Sequence, residues 1–238
     1  MLETRNIAKK IGTKQILRDV TLNLGKNEIV GLLGPNGAGK TTTFNIIMGF
    51  IVPDSGHVYL HGKDITGFPV YQRARLGMSY LFQEPAIFGR LTVVENLLIV
   101  LENLVHDRDK QIETAKSLLS KMSIEHLSNS IAGTLSGGEK RRLEIARNLI
   151  NNPEFLLLDE PFSGIDPKTV SEIKSMILDL KRDGVGILIT DHNVRDALSI
   201  TDRAYLIYNG SILTQGTPQE ILNDYKSRQV YFGEEFRL

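Results

Sequence analysis

Residues 28–50 run Glu28-Ile-Val-Gly-Leu-Leu33, Gly34-Pro35-Asn36-Gly37-Ala38-Gly39-Lys40-Thr41, and Thr42-Thr-Phe-Asn-Ile-Ile-Met-Gly-Phe50. The first part is a short apolar run and predicts a buried strand, and Thr42–Phe50 predicts a helix. The eight residues between them fit the pattern G-x-x-x-x-G-K-[ST], in the strand–loop–helix setting that a phosphate-binding loop needs. Gly34, Gly37 and Gly39 allow backbone angles that turn successive N–H groups inward. The helix N-terminus adds its partial positive charge. Lys40 is placed to reach the β- and γ-phosphates and the Thr41 hydroxyl to ligate Mg²⁺. Gly34 to Thr42 are therefore the candidate nucleotide-binding residues. The plain alternative is a glycine-rich turn without a ligand, which the register of strand, loop and helix argues against.

Outward from this stretch, composition sets the bounds. A chain of 238 residues accommodates one large α/β domain, or one domain with a subdomain. Lys plus Arg and Asp plus Glu both total 28, giving a formal net charge of zero and no electrostatic footprint for nucleic acid. The absence of cysteine removes disulfides, thiol catalysis and Cys-ligated zinc. Met1-Leu-Glu-Thr-Arg-Asn6 lacks the apolar core of a signal peptide. No apolar run approaches the roughly 18 residues of a membrane span, so any work at a membrane requires another chain.

Leu2 to about Leu24 alternates apolar and polar residues around a Gly12-Thr13 turn and predicts antiparallel strands. His57–Leu60 with His61-Gly62 predicts a further hairpin, and Met78–Phe82 a short strand ending at Gln83. From about Pro85 to Asn151 the pattern is helical, clearest over Val93–Asn103 and Asp109–Ser123. Phe155–Leu158 and Gly186–Thr190 predict buried parallel strands. Between them Pro167–Arg182 predicts an amphipathic helix with Val170, Ile173, Ile177 and Leu180 on one face. Asn209-Gly210 marks a hairpin within Arg203–Gln215. The expected fold is α/β with a mixed sheet: residues 1–84 and 152–238 form a phosphate-loop core with an antiparallel β part, and residues 85–151 an inserted helical subdomain.

Asp159 and Glu160 close the strand Phe155–Leu158, and ligands of open α/β sheets bind at the carboxyl ends of strands. That places Asp159 beside the phosphate loop as a candidate Mg²⁺ ligand. Glu160, one residue on, points differently and is the candidate to polarise a water for attack on a γ-phosphate. Two acids at a helix N-cap are the common alternative. Leu135-Ser136-Gly137-Gly138-Glu139 precedes a long helix through Ile150. Ser136 and Glu139 complete a capping box. Capping leaves the paired glycines unexplained, and bare backbone at a helix start makes a second anion site. Lys140, Arg141 and Arg142 are expected on a solvated face.

These residues together resemble the ATP-binding cassette family, over nearly the whole chain. The resemblance rests on the phosphate loop, Gln83, Leu135–Glu139, Phe155–Glu160, Ser163-Gly-Ile-Asp166 and His192, in that order. It implies a homodimer sandwiching two ATP molecules, each between one subunit's phosphate loop and the other's Ser136-Gly137-Gly138. Gln83 would touch Mg²⁺ and the attacking water, His192 the γ-phosphate, and Asp166 the opposite site. Family members often carry an aromatic residue near the position of Ile11 to stack on adenine. Ile11 is not aromatic, so loose base selectivity is expected, with GTP turned over at a rate comparable to ATP. Stacking is worth roughly 1–3 kcal/mol per base in single-strand binders.

Within the family the chain resembles the ATPase subunits of lipopolysaccharide exporters. Thr41–Phe44, Ala86–Leu91, Thr190–Arg195 and above all the tail Tyr231-Phe-Gly-Glu-Glu-Phe-Arg-Leu238 carry this finer likeness. It implies a cytoplasmic protein, peripheral on the inner membrane, paired with two polytopic membrane subunits through their cytoplasmic coupling helices. Phe88 and Arg90 are the docking candidates, since aromatic residues and Arg are enriched at interface hot spots. Phe88 packed into the local core is the competing expectation. Two other functions share the core motifs: the branched-chain amino acid importer ATPase, and a soluble scaffold using ATP as a switch, as in iron–sulfur assembly.

Overall fold

The computed structural model describes residues 1–84 and 86–232. Its strands are β1 (Leu2–Ile11), β2 (Lys14–Leu24), β3 (Ile29–Leu33), β4 (Ser55–Leu60), β5 (Lys63–Asp64), β6 (Met78–Leu81), β7 (Phe155–Asp159), β8 (Gly186–Thr190), β9 (Arg203–Tyr208) and β10 (Ser211–Gly216). The helices are α1 (Lys40–Met48), α2 (Val70–Arg75), α3 (Val93–Leu101), α4 (Arg108–Lys121), α5 (Gly137–Leu149), α6 (Pro167–Arg182), α7 (Val194–Leu198), α8 (Pro218–Asn223) and α9 (Tyr225–Ser227).

The strands form one continuous sheet in the order β5-β4-β1-β2-β10-β9-β3-β8-β7-β6. From β9 through β3, β8 and β7 to β6 the neighbours are parallel; β1 pairs antiparallel with β2 and β4, and β4 with β5. The mixed α/β architecture expected from the sequence is thus present. β3, β7 and β8 are buried along their whole length, as strands covered on both faces must be. The Asn209-Gly210 hairpin forms as expected, with positive φ at both residues.

Two large apolar clusters lie on opposite faces of the parallel strands. One packs Phe44, Ile46 and Ile47 of α1 against Val30, Leu32, Leu157, Leu188 and Tyr80. The other packs α3 to α6 against Leu156, Leu158, Ile187 and Ile189. On α6 the buried residues are Val170, Ile173, Ile177 and Leu180, the face read from the sequence. Helix α1 starts at Lys40, two residues before the expected Thr42, and stops at Met48 because Gly49 takes φ 84°. Arg73 of α2, fully buried, donates to the carbonyls of Ile46 and Ile47 in the last turn of α1, and to those of Thr66 and Phe68. Burial lowers its pKa to about 10. No described helix is long and apolar enough to cross a membrane.

Candidate active site

The phosphate loop joins β3, in the middle of the sheet, to α1. Gly39 takes φ 110°, and a Cβ there would stand 2.3 Å from Leu17 Cδ2, so β2 packs directly on the loop's backbone. Gly37 takes φ 76° with open space around it, leaving the backbone free to meet a ligand. Lys40 is buried, and its Nζ donates to the carbonyls of Gly34 (2.7 Å) and Pro35 (3.1 Å). Burial lowers the Lys40 pKa, opposed by the charges of Glu160 and Asp159. Lys40, Thr41, Thr42, Gly37, Gly39 and Glu160 border one cavity of about 210 Å³. Its far wall is Lys14 and Ile16. Ile11, 51% exposed at the end of the hairpin, is the register partner of Lys14 and is not among the cavity's lining residues.

At the tip of β7, Asp159 is buried and its Oδ2 accepts a hydrogen bond from the Tyr80 hydroxyl at 2.8 Å. Its Oδ1 is also buried and meets no hydrogen-bond donor. Burial raises the Asp159 pKa, opposed by the hydroxyls of Tyr80 and Thr41 and the charge of Lys40. Glu160 takes φ 52°, a left-handed conformation that is costly for a glutamate and clusters at functional sites. Its N–H donates to the Thr190 carbonyl (2.8 Å), stitching the strained residue to β8. The kink turns the carboxylate away from Asp159's direction. Glu160 Oε2 accepts from Gln83 Nε2 at 2.8 Å, and Oε1 lies 2.6 Å from His192 Nε2. Burial raises the Glu160 pKa against the pull of the neighbouring His192. Gln83, Asp159, Glu160 and His192, from three sequence segments, thus meet beside Lys40.

Three residues of this assembly carried no role in the sequence analysis. Tyr80 orients Asp159. Asp191, buried, accepts from Phe162 N–H (2.9 Å) and Asn193 N–H (2.8 Å), tying the His192 turn to the turn after Glu160. Arg141 corrects an expectation. It is 4% exposed, not on a solvated face, and donates to the carbonyls of Phe82, Gln83 and Glu160 and to the Glu144 carboxylate. Arg142 is paired with Glu172 and also largely buried. The expectation failed because irregular loops present carbonyls that need donors, and helical periodicity does not register them.

Ser136 caps α5, and the capping box with Glu139 is complete. Leu135 is buried; Ser136 and Gly137 are exposed. Gly138 has a packing reason: a Cβ there would stand 2.2 Å from Thr169 Cγ2 on α6. Gly137 has no comparable obstruction, its nearest neighbour being the Gly164 carbonyl at 3.5 Å. Gly137 borders a separate cavity of about 320 Å³ with Gln83, Arg141 and Ser163, away from the Lys40 cavity. Asp166 caps α6, accepting from Lys168 and Thr169 N–H at 3.1 Å each. Phe88 is 44% exposed, against the core expectation, and Arg147 lies over its ring at 4.8 Å. Arg90 is exposed beside it. Of the tail, Tyr231 and Phe232 pack on a small cluster with Leu33 and Leu206; residues 233–238 lie outside the described residues.

A phosphate loop on a central parallel strand, with an acid pair closing a nearby strand, defines a P-loop nucleoside triphosphatase. The profile described as ABC transporter matches residues 17–163. The chain belongs to the ABC transporter family, as its ATP-binding and ATP-hydrolysing cassette. Proteins named lipopolysaccharide export system ATP-binding protein LptB are similar along its whole length. That of Acidithiobacillus ferridurans is 47% identical over 238 residues (100% of this chain, 99% of the relative), and that of Haemophilus influenzae 48% over 241 (100% and 99%). Among solved structures, an ATP-binding cassette of an ABC transporter in its ADP conformation superimposes with a TM-score of 0.89 at 34% identity, covering 98% of both chains. A dimeric bacterial ABC transporter cassette gives 0.82 at 26%, covering 92% of this chain and 99% of that one.

Proposed function

We propose that this chain is the ATP-hydrolysing motor of a lipopolysaccharide export system. It works as a homodimer on the cytoplasmic face of the inner membrane, joined to two polytopic membrane subunits. The observation that carries this reading is the full-length likeness to LptB proteins, joined to an intact hydrolytic site around Glu160. The importer and scaffold readings share the second feature and lack the first.

In this reading the backbone of Gly34–Thr41 and the start of α1 hold the nucleotide phosphates, with Lys40 exchanging its two loop carbonyls for phosphate oxygens. Thr41, Asp159 and Gln83 would hold Mg²⁺. The fit is physical: the buried, unpaired Oδ1 of Asp159 is an acceptor facing a cation's place, beside the Thr41 hydroxyl. Among the described residues no group of three carboxylates or imidazoles could cage a metal alone, as expected for a cation that nucleotide phosphates help to bind. Bound there, Mg²⁺ neutralises charge on the phosphates. Glu160, its pKa raised, accepts a proton from the attacking water. Gln83 and His192 hold its two carboxylate oxygens, so the base is aimed before nucleotide arrives.

Ser136 and Gly137 are exposed, and neither lines the Lys40 cavity, which fits a second protomer bringing them to the first one's nucleotide. Asp166 would meet the opposite site after its capping bonds rearrange. We take residues 85–151 as the helical part that follows dimer closure, with exposed Phe88 and Arg90 receiving the coupling helices. With Lys14 and Ile16 beside the loop and no aromatic at Ile11, the base is read loosely. A comparison of ATP and GTP turnover checks that point, and strong ATP preference would remove it. The function itself is tested by mild-detergent co-purification with mass spectrometry. Two polytopic exporter subunits are expected; amino acid permeases would favour the importer, and soluble partners alone the scaffold.

A further inference from the structure

The ring of Tyr80 connects two places that the chain keeps apart. Its hydroxyl holds Asp159 Oδ2 at 2.8 Å, leaving Oδ1 as the buried acceptor without a donor. Tyr80 belongs to the edge strand β6, and Ser79 to Phe82 line a cavity of about 230 Å³ together with Ala86, Val100, Glu144 and Arg147. The ring stacks at 4.5 Å on Phe82 and lies 6.0 Å from Phe50; Phe50 and Phe82 meet edge-on at 5.5 Å. Phe82 and Phe50 are 41% and 46% exposed, while Tyr80 is 7% exposed. Phe44 of α1 supports the ring from the core side at 5.9 Å. A continuous run of aromatic contacts therefore leads from the exposed Phe50 and Phe82 to one oxygen of the strand-tip aspartate.

We propose that Tyr80 is a positioning residue that sets the rotation of the Asp159 carboxylate, and that the exposed pair Phe50 and Phe82 sets Tyr80. The hydroxyl occupies one carboxylate oxygen and so presents the other to a divalent cation. The phenolic O–H donates and the carboxylate oxygen accepts. The ring is gripped by packing, with no other hydrogen bond to fix it, so its position follows its aromatic neighbours. Anything that presses on Phe82 from the cavity, or relieves it, then alters the hold on the cation through one hydrogen bond. This gives the chain a route from an exposed aromatic pair to the aspartate proposed as its metal ligand.

The inference rests on Asp159 being the cation ligand, and the experiment separates the two claims. Nucleotide binding to the full chain is titrated with Mg²⁺ and, in parallel, measured in EDTA; no turnover is needed. Tyr80→Phe keeps the ring and removes the hydroxyl. It is expected to raise the Mg²⁺ concentration for half-maximal effect about three- to tenfold, the scale of a typical net hydrogen-bond contribution, with binding in EDTA unchanged. Phe82→Ala, at an exposed position, is expected to shift the Mg²⁺ titration in the same direction and to add nothing on a Tyr80→Phe background. An unchanged Mg²⁺ titration in Tyr80→Phe, or simple additivity of the two variants, overturns the proposal. If Asp159→Asn leaves the Mg²⁺ dependence intact, the reading of the metal site fails instead.

Discussion

Glu160 concentrates the chemistry into one side chain, and its environment makes it costly. Its backbone has positive φ, and its carboxylate is buried between Gln83 and His192. Burial likewise raises Asp159 and Asp191. A carboxyl whose pKa is higher folded than unfolded binds its proton more tightly in the native state. Its contribution is favourable below the ordinary carboxylate range of about 4 and is lost as pH rises through the folded value. Glu160→Gln removes one such charge. Thermal unfolding without nucleotide should therefore show the variant gaining on the parent as pH rises from about 4 to 7. The same substitution should lower hydrolysis about 10²–10⁴-fold, the weight of a general base, while ATP binding persists. Near-normal turnover would mean that another group activates the water. Asp159 and Glu160 were legible because an apolar run ending in acids is a pattern in the chain. Tyr80, Asp191 and Arg141 were not, since each acts through burial and a partner at least 19 residues away in the chain.

Helix α5 shows how far an element can be read from its sequence. Its start and its capping box were legible, because these are local. The reason for its second glycine was not, because Thr169 lies on another helix. The pair therefore separates by experiment. Gly138→Ala places a methyl group into Thr169 and should cost about 1–3 kcal/mol in urea unfolding, the usual range for overpacking. Gly137→Ala, with its nearest neighbour at 3.5 Å, should stay within about 1 kcal/mol of the parent. Equal losses at both positions would remove the packing argument. The short helices α2, α7, α8 and α9 escaped the sequence reading for a different reason. At six residues or fewer they make too few turns for a periodic face to show. The strands were easier, since β3, β7 and β8 are buried throughout and are apolar up to the Asp159 and Thr190 that end β7 and β8.

Across the whole molecule the single sheet separates two anion-directed helix starts. One is α1, behind the phosphate loop. The other is α5, where Ser136 and Gly137 are exposed and Gly137 borders a different cavity. On the proposed reading, a protomer built this way completes a two-sided nucleotide site by facing a second copy head to tail, with each loop against the other's α5. That geometry has a consequence no single-chain site shares. Take Lys40→Ala, which spoils the loop, and Ser136→Arg, which blocks the α5 start, each carrying Glu160→Gln to retain nucleotide. Neither alone should form an ATP-dependent dimer by light scattering. Mixed together, the intact loop of the second meets the intact helix start of the first, and one whole site per mixed pair is restored. Partial recovery of ATP-dependent dimer in the mixture is the expected outcome. If mixing recovers nothing while each variant still folds, the two helix starts do not share a nucleotide.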